Sequence, residues 1–90
     1  MKISANVNGI FNKRFINESL ELQFKREINL KHLIRKVGKI LKNDIYKLIT
    51  EKRSNPIILL NGKKVNIPEN FLIKIKDGDI LSILQGLGGG

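Results

Sequence analysis

Asn29-Leu30-Lys31-His32-Leu33-Ile34-Arg35-Lys36-Val37-Gly38-Lys39-Ile40-Leu41 is the stretch that decides the fold. Leu30, Leu33, Ile34, Val37, Ile40 and Leu41 recur at the spacing of an amphipathic helix, so one face of this segment seeks a core. Asn29 has the short polar side chain that caps a helix start. Gly38 falls inside the segment, where it costs up to about 1 kcal/mol relative to alanine. A single such helix needs a sheet to cover, and the flanking sequence supplies strands on both sides.

Upstream, Ile3, Ala5 and Val7 alternate with Ser4, Asn6 and Asn8, the pattern of a half-buried strand. Asn8-Gly9 is expected to open an irregular connection through Arg14. Leu20, Leu22 and Phe24 then alternate with polar residues as a second strand, completing a hairpin. Downstream, Asn43-Asp44 starts a second helical segment with Ile45, Leu48 and Ile49 on one face. Ser54-Asn55-Pro56 ends it, because proline disfavours helical geometry in the residue before it. Ile57-Ile58-Leu59-Leu60 reads as a central strand, Asn61-Gly62 as a two-residue turn and Lys63-Lys64-Val65 as the returning strand. Residues 66–76 are irregular, with Phe71, Ile73 and Ile75 as candidate core residues. Asp77-Gly78-Asp79 turns into a last strand, Ile80 to Leu84. The fold class is α+β: a mixed sheet with one main helix across one face, residues 1–84 forming the domain and 85–90 a tail.

Ninety residues suffice for one domain. The absence of cysteine excludes disulfides, thiolate metal sites and a cysteine nucleophile. Strand-like alternation from Lys2 onward speaks against a signal peptide, and no apolar run approaches the length of a membrane span, so a cytoplasmic location is expected. The formal charge of +9, from 17 Lys+Arg against 8 Asp+Glu, draws the chain toward anionic partners. Lys31, Arg35, Lys39 and Lys42 form a stripe along the exposed side of the helix. Two readings stand for it: a phosphate-binding surface, or a solvated face in a lysine-rich composition. The aromatic residues Phe11, Phe15, Phe24, Tyr46 and Phe71 are assigned mainly to the core rather than to base stacking. His32 reads as a boundary residue of the helix, and Asp77 and Asp79 as turn residues rather than a cation site. Asn17-Glu18-Ser19 has the form of a glycosylation acceptor, without meaning in a chain that is not secreted. No phosphate loop, catalytic triad or metal-ligand cluster appears, so an enzyme has little support.

The sequence closes on Gln85-Gly86-Leu87-Gly88-Gly89-Gly90. Glycine has no Cβ and packs no core, but it makes a thin backbone that enters narrow channels. One reading makes the α-carboxylate of Gly90 the reactive group; the other makes these residues a frayed end or the stub of a linker. If Leu81 and Ile83 face the helix, alternation turns Ile80, Ser82 and Leu84 to the opposite face, leaving Leu84 exposed at the root of the tail.

Together these features resemble the β-grasp, ubiquitin-like sulfur carriers, and among them the small subunit family of molybdopterin synthase. The resemblance rests on the strand-helix-strand order, Leu59-Leu60-Asn61-Gly62-Lys63, the Asp77-Gly78-Asp79 turn and its spacing to Gly89-Gly90. Residues 8–17 resemble the irregular stretch after that family's first strand. Gln85-Gly86 stands where the family usually has a proline pair, a departure shared with the ubiquitin-related modifiers. The resemblance implies a carrier protein rather than an enzyme, with no bound cofactor. An activating enzyme of the ubiquitin-activating type would use ATP to adenylate the Gly90 carboxylate, and sulfur transfer would give a thiocarboxylate. Leu87, Gly88 and Gly89 would thread into partners, with Leu84 at their docking surface. The partners implied are that adenylating enzyme and either a molybdopterin synthase large subunit or a tRNA-thiolating enzyme. The alternative is a protein modifier joined through Gly90 to target lysines, and a third reading is a small basic nucleic-acid-binding domain.

Overall fold

Asn29 caps the main helix as its side chain suggests: its Oδ1 accepts the His32 N–H at 2.9 Å. In the computed structural model, which describes residues 1–86, that helix is α1, Leu30–Leu41. Leu30, Leu33, Ile34 and Val37 are fully buried. Ile40 departs from the expected stripe and is 43% exposed. At about 100° per residue it lies roughly 80° from the centre of the apolar face, so it falls on the rim. Asp44 caps α2, Ile45–Thr50, through the Lys47 N–H at 3.0 Å. Gly38 explains how the two helices meet. A methyl group there would come within 2.7 Å of the Asn43 carbonyl, so glycine lets the α1–α2 turn fold back against the helix.

The strands are β1 (Lys2–Phe11), β2 (Arg14–Gln23), β3 (Ile57–Leu60), β4 (Lys63–Lys64) and β5 (Ile80–Leu84). They form one sheet in the order β2-β1-β5-β3-β4. β1 and β5 are parallel and all other neighbours antiparallel, which makes β5 the central strand and β3 its neighbour. This is the β-grasp arrangement, with α1 across one face. The core joins Leu33, Ile34 and Val37 to Ile3, Val7, Leu22, Ile58, Leu81 and Ile83. Phe71 and Ile75 are buried as expected, whereas Ile73 is half-buried.

Residues 8–14 correct the sequence reading. They are not irregular: Asn8 pairs with Asn17, Gly9 with Ile16 and Ile10 with Phe15, so the hairpin is continuous. The reversal occurs at Asn12 and Lys13, both with positive φ, of 51° and 67°. The Asn8-Gly9 dipeptide resembles a turn, but the positive φ of Gly9 is used inside the ladder. The second strand accordingly spans Arg14–Gln23, and Phe24 lies just beyond it, half-buried.

The Asp77-Gly78-Asp79 turn is held by its own carboxylates. Asp77 Oδ1 accepts the Lys2 N–H at 2.7 Å, and Asp79 accepts from Asn61 Nδ2 at 2.8 Å and the Lys76 N–H at 2.7 Å. Asn61 Oδ1 in turn accepts the Ile80 N–H at 2.8 Å, tying the β3–β4 turn to the start of β5. Among the described residues no helix is long and apolar enough to cross a membrane.

Candidate functional site

β5 delivers the chain to its tail. Leu81 and Ile83 face α1 and are fully buried, while Ile80, Ser82 and Leu84 face the open side of the sheet, as alternation predicts. Leu84 is half-buried there rather than fully exposed, because Ile57 and Asn8 flank it in the neighbouring strands. Past Leu84 the chain keeps to β1 for one more residue: the Gln85 N–H donates to the Asn8 carbonyl at 2.9 Å. Gly86 is exposed, with open space where a Cβ would project. Leu87, Gly88, Gly89 and Gly90, the other sequence-predicted site residues, lie outside the described residues.

Gly9 makes this exit geometry possible. Its φ of 137° is a conformation that side-chain-bearing residues rarely adopt, and a Cβ there would overlap the Gln85 carbonyl and Cβ. Both partners of that overlap are held, Gln85 by its backbone hydrogen bond and Gly9 by the β1–β2 ladder. Gly9→Ala is therefore expected to displace Gln85 from Asn8 before it unfolds the hairpin. Amide hydrogen exchange reads this directly: protection is expected to fall at Gln85 and to persist at Leu81 and Ile83. Unchanged protection at Gln85 contradicts the role given to Gly9.

Exposed apolar residues stand on the open face on either side of an asparagine pair beside the tail root. Ile57 is 48% exposed beside Leu84, and Ile10 and Phe15, paired across β1 and β2, are 41% and 62% exposed. Between them Asn8 Nδ2 donates to Asn17 Oδ1 at 3.0 Å. Phe15 was assigned to the core by sequence. The continuous β1–β2 ladder places it opposite Ile10, on the solvent side, because Ile10 has the parity of Asn8 and Phe15 that of its cross-strand partner Asn17. Ile10 and Phe15 are thus site residues that sequence reasoning missed, hidden by the supposed irregular loop. Both side chains are apolar and offer contact surface rather than reactive groups.

The basic stripe divides into two parts. Lys31 and Arg35 each lie 5.6 Å from the centre of the Tyr46 ring, which in turn packs against Phe71 at 5.4 Å. Arg35, Lys39 and Lys42, joined by Lys36, border a cleft against the α1–α2 turn. His32 is exposed at the edge of the same cleft.

The fold and the exit of the chain from β5 define a β-grasp domain whose open face carries exposed apolar residues near the tail root. Solved structures share this fold. A chain from the complex of subunits 1 and 2 of molybdopterin-converting factor from Helicobacter pylori is similar over 100% of both chains, with a TM-score of 0.58 and 22% identity. The HVO 2177 protein of Haloferax volcanii is similar over 99% of this chain and 88% of its own, with a TM-score of 0.64 and 16% identity. A thiamine biosynthesis protein from Geobacter metallireducens aligns over 94% of this chain and 99% of its own, at a TM-score of only 0.49 and 20% identity. No protein-family model and no curated protein matches the sequence. At these identities the likeness establishes the β-grasp fold.

Proposed function

We propose that the chain is a ubiquitin-like sulfur carrier whose reactive group is the α-carboxylate of Gly90. The observation that carries this reading is the exit geometry. The central strand hands the backbone past Gly9 and releases it at Gly86 toward a glycine-rich segment, beside a face with exposed apolar residues. The fold shared with a chain of the molybdopterin-converting factor complex supports it.

The chemistry proceeds in two steps. A carboxylate oxygen of Gly90 attacks the α-phosphorus of ATP on an activating enzyme, pyrophosphate departs, and an acyl-adenylate forms. A sulfur donor at the oxidation level of sulfide then attacks the acyl carbon, AMP leaves, and a thiocarboxylate remains. The carrier supplies no catalytic side chain and binds no cofactor; the ATP belongs to the activating enzyme. Activation makes an inert carboxylate electrophilic, and the body serves to present it. Ile10, Phe15, Ile57 and Leu84 form the surface by which the activating enzyme, and then a synthase large subunit or a tRNA-thiolating enzyme, holds the body while the glycines reach the active site. The cytoplasm, where such enzymes and ATP are found together, is the location this function requires.

The intact mass of the protein isolated from its own cells tests the reading. A gain of about 16 Da on the free chain is expected, sulfur having replaced one oxygen of the terminal carboxylate. A ladder of heavier adducts with glycyl-glycine remnants on lysines would instead make the chain a protein modifier.

A further inference from the structure

β2 lies at one edge of the sheet and β4 at the other. The two edges are built differently. β4 is two residues long, Lys63-Lys64, and short edges bearing lysine resist further pairing. β2 runs over Arg14–Gln23 without proline, glycine or bulge, and every residue of it pairs in register with β1. The direction of its free backbone groups follows from the first pair of the ladder. The Met1 amine donates to the Phe24 carbonyl at 2.8 Å, and the Phe24 N–H to the Met1 carbonyl at 3.0 Å. Doubly bonded pairs alternate with unbonded ones along an antiparallel ladder, so the even-numbered residues of β2 bond to β1. Phe15, Asn17, Ser19, Glu21 and Gln23 therefore turn their N–H and C=O groups outward. All of them are exposed, and among the described residues no strand pairs with that side.

Charge along this edge is patterned. Glu18 and Glu21 stand in its middle, with Lys13 and Arg14 at one end and Lys25 and Arg26 at the other, all exposed. The chain has a formal charge of +9, yet among the described residues neither glutamate has a cation within ion-pair distance. The pattern opposes a second copy. Two copies joined antiparallel, edge to edge, are related by a two-fold axis. With that axis at any residue from Asn17 to Glu21, Glu18 or Glu21 faces its own counterpart directly or on the diagonal, and like charges so placed repel. The edge suits instead a strand with cations in its middle and acids at its ends. Glu18 and Glu21 are three residues apart and so lie on opposite faces, which requires one cation on each face of the added strand. Such a strand also covers Leu20, half-buried on the helix side of the edge.

We infer that the β2 edge is a docking site for an extended segment of a partner protein, which joins the five-stranded sheet as a further strand and carries basic residues at its centre and acidic residues at its ends. Main-chain hydrogen bonds to the outward groups supply affinity, and the charges select the partner and its register. The site uses the edge of the sheet rather than its open face, and it stands whether or not Gly90 is a reactive group.

A blocked twelve-residue peptide and the full chain, with no other protein, provide the test. The peptide has aspartate at both ends, lysine at its fifth and eighth positions, valine at its sixth and eleventh, and threonine elsewhere. Laid antiparallel along residues 14–25, it sets its lysines against Glu21 and Glu18, its valines against Leu20 and Phe15, and its aspartates against Lys25 and Arg14. A second peptide exchanges the lysines with the aspartates, which keeps composition and net charge. With about 1 mM of the first peptide, amide hydrogen exchange is expected to slow about tenfold at Asn17, Ser19 and Glu21, and to stay unchanged at Glu18 and Leu20, which already bond to β1. Glu18→Lys/Glu21→Lys changes only exposed positions and is expected to weaken the first peptide about tenfold and to favour the second. No added protection at the outward amides overturns strand addition. Undiminished binding of a peptide methylated at its odd-numbered amides, which removes its donors to the edge, overturns it as well. Equal affinity for the two peptides overturns the charge pattern. Protection that rises with protein concentration when no peptide is present gives the edge to a second copy and overturns the proposal. A chain lacking Gly89 and Gly90 is expected to bind the peptide as the full chain does, so this inference and the carrier reading fail separately.

Discussion

Removal of Gly89 and Gly90 is expected to abolish ATP–pyrophosphate exchange with the activating enzyme while leaving the melting temperature unchanged. The stability half of this expectation follows from where the core lies. Among the described residues, the buried core runs from Ile3 to Ile83 and the last backbone hydrogen bond of the ladder is that of Gln85 to Asn8. Two terminal glycines have no side chains to add to it. The chemical half follows from reach. In the proposed docking the body would be held by its open face, so the distance from the docking surface to the activated carboxylate would be set by the number of tail residues. Shortening an extended tail by two residues draws the carboxylate back by about 7 Å. Displacements of even about 1 Å cost about a hundredfold when a reacting group must meet its partner in line. The truncated chain still ends in a carboxylate, so the assay tests position and not the mere presence of the group. Undiminished exchange would remove both the carrier and the modifier readings.

What was legible in the sequence was local. The stripe of α1 apart from Ile40, its cap at Asn29, the second cap at Asp44 and the turn at Asn61-Gly62 each depend on residues a few positions apart, and the structure has them. The facing of β5 was equally legible, since a period of two in Ile80 to Leu84 allows only two orientations and Leu81 and Ile83 lie buried. The largest error lies in the first hairpin. Asn8-Gly9 carries the composition of a turn, and reading it so removed Ile10 and Phe15 from the sheet and therefore from the open face. What demands glycine at that position is Gln85, a residue from the far end of the chain brought alongside by the parallel pairing of β1 and β5. No periodicity within either strand encodes that approach. The cleft was hidden for a similar reason. The sequence shows the stripe of cations, but its concavity comes from the turn folding back over Gly38, and its position beside the hairpin from Arg14 and Asn43. Tyr46 then divides the stripe, taking Lys31 and Arg35 onto its ring.

The open face gives the second large effect. Leu84→Asp and Phe15→Asp are each expected to weaken binding to the activating enzyme by about thirtyfold or more, the loss of a central contact worth about 2 kcal/mol. The two positions differ in what they risk. Leu84 is half-buried between Ile57 and Asn8, so a carboxylate there is expected to cost about 1 kcal/mol of stability. Phe15 is 62% exposed, so its replacement touches the face with little change in the core. Ile80→Asp supplies the comparison. Ile80 has the same facing on β5 and is 45% exposed, but it lies four residues, about 13 Å, from Leu84 along the strand. It adds the same charge without touching the tail root, and is expected to alter affinity only slightly. Circular dichroism beside a binding titration separates the outcomes. If Leu84→Asp unfolds the chain while Phe15→Asp binds normally, Leu84 belongs to the core and the docking surface is elsewhere. If all three substitutions weaken binding alike, the partner reads the charge of the whole sheet. Loss confined to Leu84 and Phe15, with the fold intact, is the result that a grip beside the tail root requires, because a partner that positions a terminal carboxylate within an ångström must hold the chain near the point where it leaves the body.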